Sequence, residues 1–308
     1  MKKRDLVCIT SLSTQEILSL FESTAKLKKS KIKRTNHLKN KSVGLLFQKP
    51  SNRTRVSFEV AVWQLSGNCI YLSPEEIDLG KRESTADVAK TLSRYLDCLV
   101  ARTFSHQDVI DLAEMSTIPI INGLSDLTHP CQALTDIFSI KEYFGRLKGL
   151  TVTYVGDGNN VCHSLLLGCA KVGLDMKIAT PPGYKPSPEV VQMARDFARK
   201  SGAKILLTES PQEAVARANV IYSDVWVSMG QETETKKRLD DFKGFQINSD
   251  LVKLADKEYI FMHCLPAHRG LEVTADVIDS DHSIIFDQAE NRLHVQKAIL
   301  IFLLGRSK

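Results

Sequence analysis

The chain has 308 residues, 43% hydrophobic and 25% charged, with a formal net charge of +5. That length suits two globular cores of about 150 residues each, and the balance excludes disorder, collagen and coiled coil. The mild positive charge agrees equally with an anionic small-molecule substrate and with weak nucleic-acid affinity, so it decides nothing alone.

The seven cysteines (Cys8, Cys69, Cys98, Cys131, Cys162, Cys169 and Cys264) are odd in number, scattered and free of any CxxC pair. A disulfide framework or structural zinc is therefore not expected, and a reducing compartment is. The apolar run 6–9 behind Met-Lys-Lys-Arg is too short for a signal-peptide core. No apolar run approaches the roughly 18 residues of a membrane span. A cytoplasmic protein with no membrane partner is expected.

In chain order, periodicity predicts a helix at 13–29, a strand at 43–47, a helix at 54–66 and strands at 69–72, 98–103 and 119–122. A helix at 130–144 follows, then a strand at 151–156, a helix at 160–173, a strand at 176–180 and a helix at 188–201. Strands at 203–208, 220–225, 259–263 and 283–287 and a helix at 289–304 complete the series. Such alternation implies parallel sheets with helices on both faces. The expected fold class is α/β, with two doubly wound parallel-sheet domains and the active site in the cleft between them. Residues 1–147 form the first domain, 148–288 the second, and the helix in 289–308 packs back on the first. In such folds polar side chains gather just after strands.

The lysine-rich stretch 26–41 has no interleaved aromatic residue and spans a helix end and a loop. It reads as a solvated face, so no nucleic-acid partner is expected.

After the first strand comes Lys49-Pro50-Ser51-Asn52-Arg53-Thr54-Arg55, and a helix begins. Hydroxyls, guanidiniums and orphan helix N–H groups converge there, which is how a phosphate is bound. An N-cap serine with two surface arginines is the plainer alternative. Arg102 closes the third strand. After the fourth, Pro130 suits a first helical turn, with His129 near the cap and Gln132 three residues on. Both can donate to a carbonyl oxygen.

Gly156-Asp157-Gly158-Asn159-Asn160 looks like a dinucleotide fingerprint, but Val161 replaces the third glycine and the next strand ends in Thr180-Pro181-Pro182 rather than an acid. A nicotinamide site is not expected. Asn160, near a helix start, reads better as a ligand for a carboxylate. Asp224, closing another strand, suits an ammonium. Cys264 is a structural thiol, a metal ligand or a reactive group, although the His263-Cys264-His268 spacing matches no common zinc pattern.

The run 51–55 resembles the carbamoyl-phosphate signature of the transcarbamylases, with Asn52 where threonine is frequent. His129-Pro130-Cys131-Gln132, the segment 224–230 and the segment 263–270 resemble the ornithine carbamoyltransferases of that family. The likeness runs from Leu12 to the final helix. It implies that Ser51, Asn52, Arg53 and Thr54 hold phosphate with Arg55 in support. Arg102, His129 and Gln132 would bind the carbamoyl end, and Cys264, Leu265 and Arg292 would complete that pocket. Asn160, Asp224, Ser228 and Met229 would hold ornithine. Arg102, His129, Gln132, Asp224 and Cys264 are the catalytic set.

The implied reaction moves the carbamoyl group of carbamoyl phosphate to the side-chain amine of L-ornithine, giving L-citrulline and phosphate, as in arginine biosynthesis. Donors preorganised at the carbonyl oxygen stabilise the charge that builds there, and losing one typically costs about 10²–10³ in rate. No metal or organic cofactor is needed. Another amine acceptor, such as aspartate or an acylated ornithine, is disfavoured by Ser228-Met229-Gly230. A catalytically silent paralogue would have no reason to keep these polar residues. The resemblance further implies a homotrimer in which the loop after the second strand reaches a neighbouring subunit's active site. Asp78 stands where a glutamine or histidine is usual.

Overall fold

Strands buried on both faces read as continuous apolar runs, and the computed structural model bears this out at β1 (Ser42–Phe47), which is buried from its second residue to its last. The structure describes residues 3–32, 34–77, 79, 83–227 and 232–305. It separates into two units: Met1–Thr135 together with Glu290–Lys308, and Asp136–Ala289.

The first unit opens with α1 (Thr14–Lys29), set by a capping box between Ser13 and Glu16. After β1 come α2 (Asn52–Gln64), β2 (Asn68–Leu72), α3 (Pro74–Ile77), α4 (Thr85–Leu92), β3 (Cys98–Arg102), α5 (His106–Met115) and β4 (Ile120–Leu124). The four strands pair in parallel in the order β2-β1-β3-β4. Gly44 in β1 has a packing role: a Cβ there would lie 2.5 Å from Leu96 Cδ1 and 2.9 Å from Leu99 Cδ1. The core joins Leu46, Leu99 and Ala101 of the sheet to Val88, Val109 and Leu112 of α4 and α5. The helix α6 (Pro130–Phe144) begins in this unit and ends in the next.

The second unit contains β5 (Thr151–Val155), α7 (Asn160–Val172), β6 (Asp175–Ala179), α8 (Pro188–Ser201), β7 (Ile205–Thr208), α9 (Pro211–Val215) and β8 (Val220–Ser223). Then follow α10 (Thr235–Asp241), α11 (Ser249–Val252), β9 (Ile260–His263), α12 (Ala275–Ile278) and α13 (Ile285–Leu304), which passes into the first unit at Glu290. The sheet order is β7-β6-β5-β8-β9, again all parallel. Its core gathers Val155, Ile221, Phe242 and Phe261.

One expected strand is absent. Residues 283–287 supply a single bridge, Ser283 to Phe261, and α13 starts at Ile285. Ile285, Gln288, Asn291, Arg292 and Val295 are buried while Phe286 is 71% exposed. That spacing of three and four is helical, and it overrides the β-rich look of Ile284-Ile285-Phe286. No helix among the described residues is long and apolar enough to cross a membrane.

Candidate active site

In the first unit the polar residues meet where β1, β3 and α6 begin or end. Ser51, extended at φ −158°, caps α2, and its Oγ accepts the Thr54 N–H at 3.4 Å. Its neighbours in the first turn keep their orphan N–H groups beyond the end of β1. Thr54 is buried, and its Oγ1 accepts from Nη2 of Arg292 at 2.7 Å. Arg102 is the last residue of β3 and is 8% exposed. His129 stands at the start of α6, where its carbonyl accepts the N–H groups of Gln132 and Ala133. Gln132 is buried one turn along.

Charge gives this half its character. Burial, then the guanidiniums of Arg292, Arg102 and Arg53, push the His129 imidazole well below its usual 6.5. The ring is therefore neutral near pH 7 and offers a donor without a charge. Burial and then Arg102 also lower the Lys49 ammonium, which sits 4.5 Å over the Phe104 ring. Three guanidiniums acting on His129, and Lys49 acting on one of them, suit a dianion. Arg55 pairs with Glu59 at 2.9 Å and stacks on Tyr71 at 3.8 Å, and Asn52 is exposed as the first residue of α2.

In the second unit Asp224 directly follows β8 and is 6% exposed. It accepts from Asn159 Nδ2 at 2.8 Å, from the Val225 N–H at 2.8 Å and from the Cys264 thiol at 3.0 Å. Asn159 also caps α7, its Oδ1 accepting the N–H groups of Val161 and Cys162. Asn160 is the first residue of that helix and is half-buried. The sequence reading missed Asn159, although an asparagine just ahead of an apolar helix is a local capping signal.

His263 closes β9. Its Nδ1 accepts the Leu265 N–H at 2.9 Å, so the ring proton sits on Nε2, 3.4 Å from the buried Glu272. That bond helps hold Leu265 at φ +58°, a left-handed conformation costing a branched residue about 1–2 kcal/mol. Asp224, His263 and Cys264 bring possible metal-ligating atoms within 4.8 Å of one another. Both ring nitrogens of His263 already have protein neighbours, so a metal there would have to displace one of them. Ser228 and Met229, expected to hold ornithine, and Asp78 lie outside the described residues.

Gly158 explains the false dinucleotide signal. A Cβ there would meet Pro186 N at 2.3 Å and Tyr184 O at 2.7 Å. The glycine admits a crossing segment of this chain's own backbone.

Two parallel-sheet α/β units, one gathering guanidiniums near a buried histidine and the other holding a carboxylate–thiol pair, fit the class of enzymes that handle one charged small molecule on each unit. Residues 4–142 match the family model described as "Aspartate/ornithine carbamoyltransferase, carbamoyl-P binding domain", and residues 148–303 match "Aspartate/ornithine carbamoyltransferase, Asp/Orn binding domain". The chain belongs to the aspartate/ornithine carbamoyltransferase family.

An ornithine carbamoyltransferase of Pyrococcus horikoshii is 51% identical, with 100% of this chain and 98% of that one covered. An anabolic ornithine carbamoyltransferase of Pyrococcus furiosus is 51% identical over 99% and 98%. The solved structure of ornithine carbamoyltransferase from Pyrococcus furiosus superposes with a TM-score of 0.96 at 50% identity, covering 99% of this chain and 98% of that one.

Proposed function

We propose that this chain transfers the carbamoyl group of carbamoyl phosphate to the side-chain amine of L-ornithine, yielding L-citrulline and phosphate. Relatives named ornithine carbamoyltransferase, about half identical over the full length, support this reading. The observation that carries it is the buried pair His129 and Gln132, one helical turn apart, with Arg292, Arg102 and Arg53 near enough to act on the imidazole.

The roles follow from charge. Ser51, Asn52, Arg53 and Thr54 hold the phosphate, with Arg55 in support. Arg102, His129, Gln132 and Arg292 bind the carbamoyl end, with Cys264 and Leu265 completing that set. Negative charge builds on the carbonyl oxygen as the neutral amine attacks, and donors already in place need no reorganisation to meet it. Arg53, Arg102 and the α2 terminus stabilise the departing phosphate. Asn160, Asp224, Ser228 and Met229 hold ornithine. Asp224 holds the side-chain ammonium and can accept the proton it must lose before attack, and the leaving phosphate is a further acceptor for that proton. The reaction needs neither metal nor organic cofactor.

The domain limits we assign are 1–147 and 148–288, with 289–308 returning to the first. The working form is a cytoplasmic homotrimer with the loop around Asp78 serving a neighbouring subunit, and the pathway is arginine biosynthesis, as the anabolic Pyrococcus furiosus relative suggests. The test is citrulline formation with ornithine and aspartate compared as acceptors. Ornithine should be strongly preferred. Equal turnover of aspartate, or no product from either, would reject the reading. Sedimentation of the purified protein checks the trimer.

A further inference from the structure

The chain runs short of backbone partners at the edge of the second sheet, next to Cys264. β9 is the edge strand. On its outer side the Phe261 N–H donates to the His282 carbonyl, and the Phe261 carbonyl accepts from Ile284. The next outward N–H belongs to His263, two residues on, but there the neighbouring segment has already turned into α13. The side chain of Gln288, from the first turn of that helix, takes its place: Oε1 accepts the His263 N–H at 3.0 Å.

An amide can point either way, so something must set it. Asp136, fully buried in α6, accepts from Gln288 Nε2 at 2.7 Å on Oδ1 and from the Tyr222 hydroxyl at 3.1 Å on Oδ2. The Tyr222 oxygen, its proton given to Asp136, lies 3.3 Å from Gln288 Nε2 and accepts from it. Both carboxyl oxygens of Asp136 are thus acceptors here, and the backbone N–H of His263 can only donate. Nε2 therefore faces Asp136 and Tyr222, and Oε1 is left for His263.

From His263 the order passes on. Its ring fixes the Leu265 N–H, and between them the Cys264 thiol is set against Asp224. Tyr222 also stacks on Tyr154, 5.8 Å between centroids, and the Tyr154 hydroxyl donates to Asn159, which holds the other oxygen of Asp224. A closed polar ring thus lies beneath Asp224 and Cys264, and all of its members belong to the second unit.

We propose that Asp136 and Gln288 are positioning residues for carbamoyl transfer: the buried carboxylate aims the Gln288 amide, the amide holds the end of β9, and the Cys264–Asp224 pair is thereby fixed where the amine acceptor binds. The proposal rests on the ornithine reading of Asp224 and Cys264. The two are separable, because a wild-type chain that makes no citrulline defeats that reading, whereas the variants below test the positioning within an active enzyme.

The test exchanges the two groups. Gln288→Glu sets a carboxylate against Asp136 and should lower kcat with ornithine about 10²-fold, the scale of a 1 Å misplacement. The ornithine KM should rise, while carbamoyl phosphate affinity, measured by calorimetry, falls several-fold less, because Ser51, Arg53, Arg102 and His129 are untouched and only Cys264 and Leu265 of its set shift. The double variant Asp136→Asn with Gln288→Glu restores the pattern. The amide introduced at position 136 donates to the new carboxylate at position 288, and its oxygen accepts from the Tyr222 hydroxyl. That carboxylate still accepts the His263 N–H. The double variant should recover most of the lost kcat.

If Gln288→Glu does not fold, Gln288→Met keeps the volume and removes all three bonds, and should show the same loss, larger for ornithine than for carbamoyl phosphate. A double variant no better than Gln288→Glu, a folded Gln288→Met with wild-type kcat and ornithine KM, or an equal loss in carbamoyl phosphate binding would overturn the proposal.

Discussion

Arg292 Nη2 donates to Thr54 Oγ1 at 2.7 Å, tying α13 to the first turn of α2 across 238 residues of sequence. The bond is buried, and one partner is a cation. Hydrogen bonds to charged groups contribute about 1.5–3 kcal/mol. Thr54→Val should therefore destabilise the first unit by that order, read as a lower denaturant midpoint. It should also raise the KM for carbamoyl phosphate by freeing the guanidinium to move. An unchanged KM would remove the Thr54–Arg292 pair from the carbamoyl phosphate site.

Arg53→Ala and Asp224→Ala should separate the two substrates. The first removes a countercharge of carbamoyl phosphate and should raise its KM. The second removes the acceptor from Asn159 and Cys264 and the countercharge of the amine, and should damage ornithine use. Steady-state kinetics with each substrate varied in turn is the check, and an Asp224→Ala enzyme with wild-type ornithine parameters would refute the assignment.

The depressed His129 pKa fixes a pH dependence. A histidine in an unfolded chain titrates near about 6.5. The folded imidazole, held well below that by burial and three guanidiniums, stays neutral. Below about pH 6.5 the unfolded chain binds a proton that the folded one refuses, so this site lowers stability as pH falls and contributes nothing above. In the ligand-free protein the His129 ring resonances should stay flat from about pH 8 to 6, and a titration centred near 6.5 would contradict the arginine cluster.

Arg238 is 6% exposed and donates to Asp157 at 2.8 Å, to the Trp226 carbonyl at 3.0 Å and to Glu234 at 2.9 Å. Burial raises the Asp157 carboxyl above its ordinary value, and Arg238 opposes that shift. Arg238→Met leaves a buried carboxylate without its cation, a loss of about 3–5 kcal/mol. The expected result is a marked drop in melting temperature together with weaker ornithine binding, since Trp226 is two residues from Asp224.

Gly158→Ala should destabilise by about 1–3 kcal/mol, as overpacking does, because the new methyl would strike the backbone at Pro186. Urea denaturation measures it. A neutral substitution would mean that segment 184–186 yields freely.

The sequence alone determined what is local. Strand and helix alternation follows from side-chain period, which neighbours in the chain set among themselves. The cap at Ser51 and the Pro130 start of α6 need three or four consecutive residues, so they were legible, and so was the run of hydroxyl and guanidinium groups that one turn of helix carries. Tertiary structure decided the rest. Which of two adjacent asparagines meets Asp224 depends on the cap geometry of α7 against β8, 65 residues away. Arg55 turns from its neighbours because Glu59 and an edge-strand tyrosine are within reach. Residues 283–287 become bridge and helix because the burial spacing along α13 outweighs strand propensity. The Gln288–Asp136 bond closes over 152 residues; no periodicity encodes it, since only the folded chain brings an amide and a carboxylate to one buried point and makes each answer for the other's hydrogen bonds.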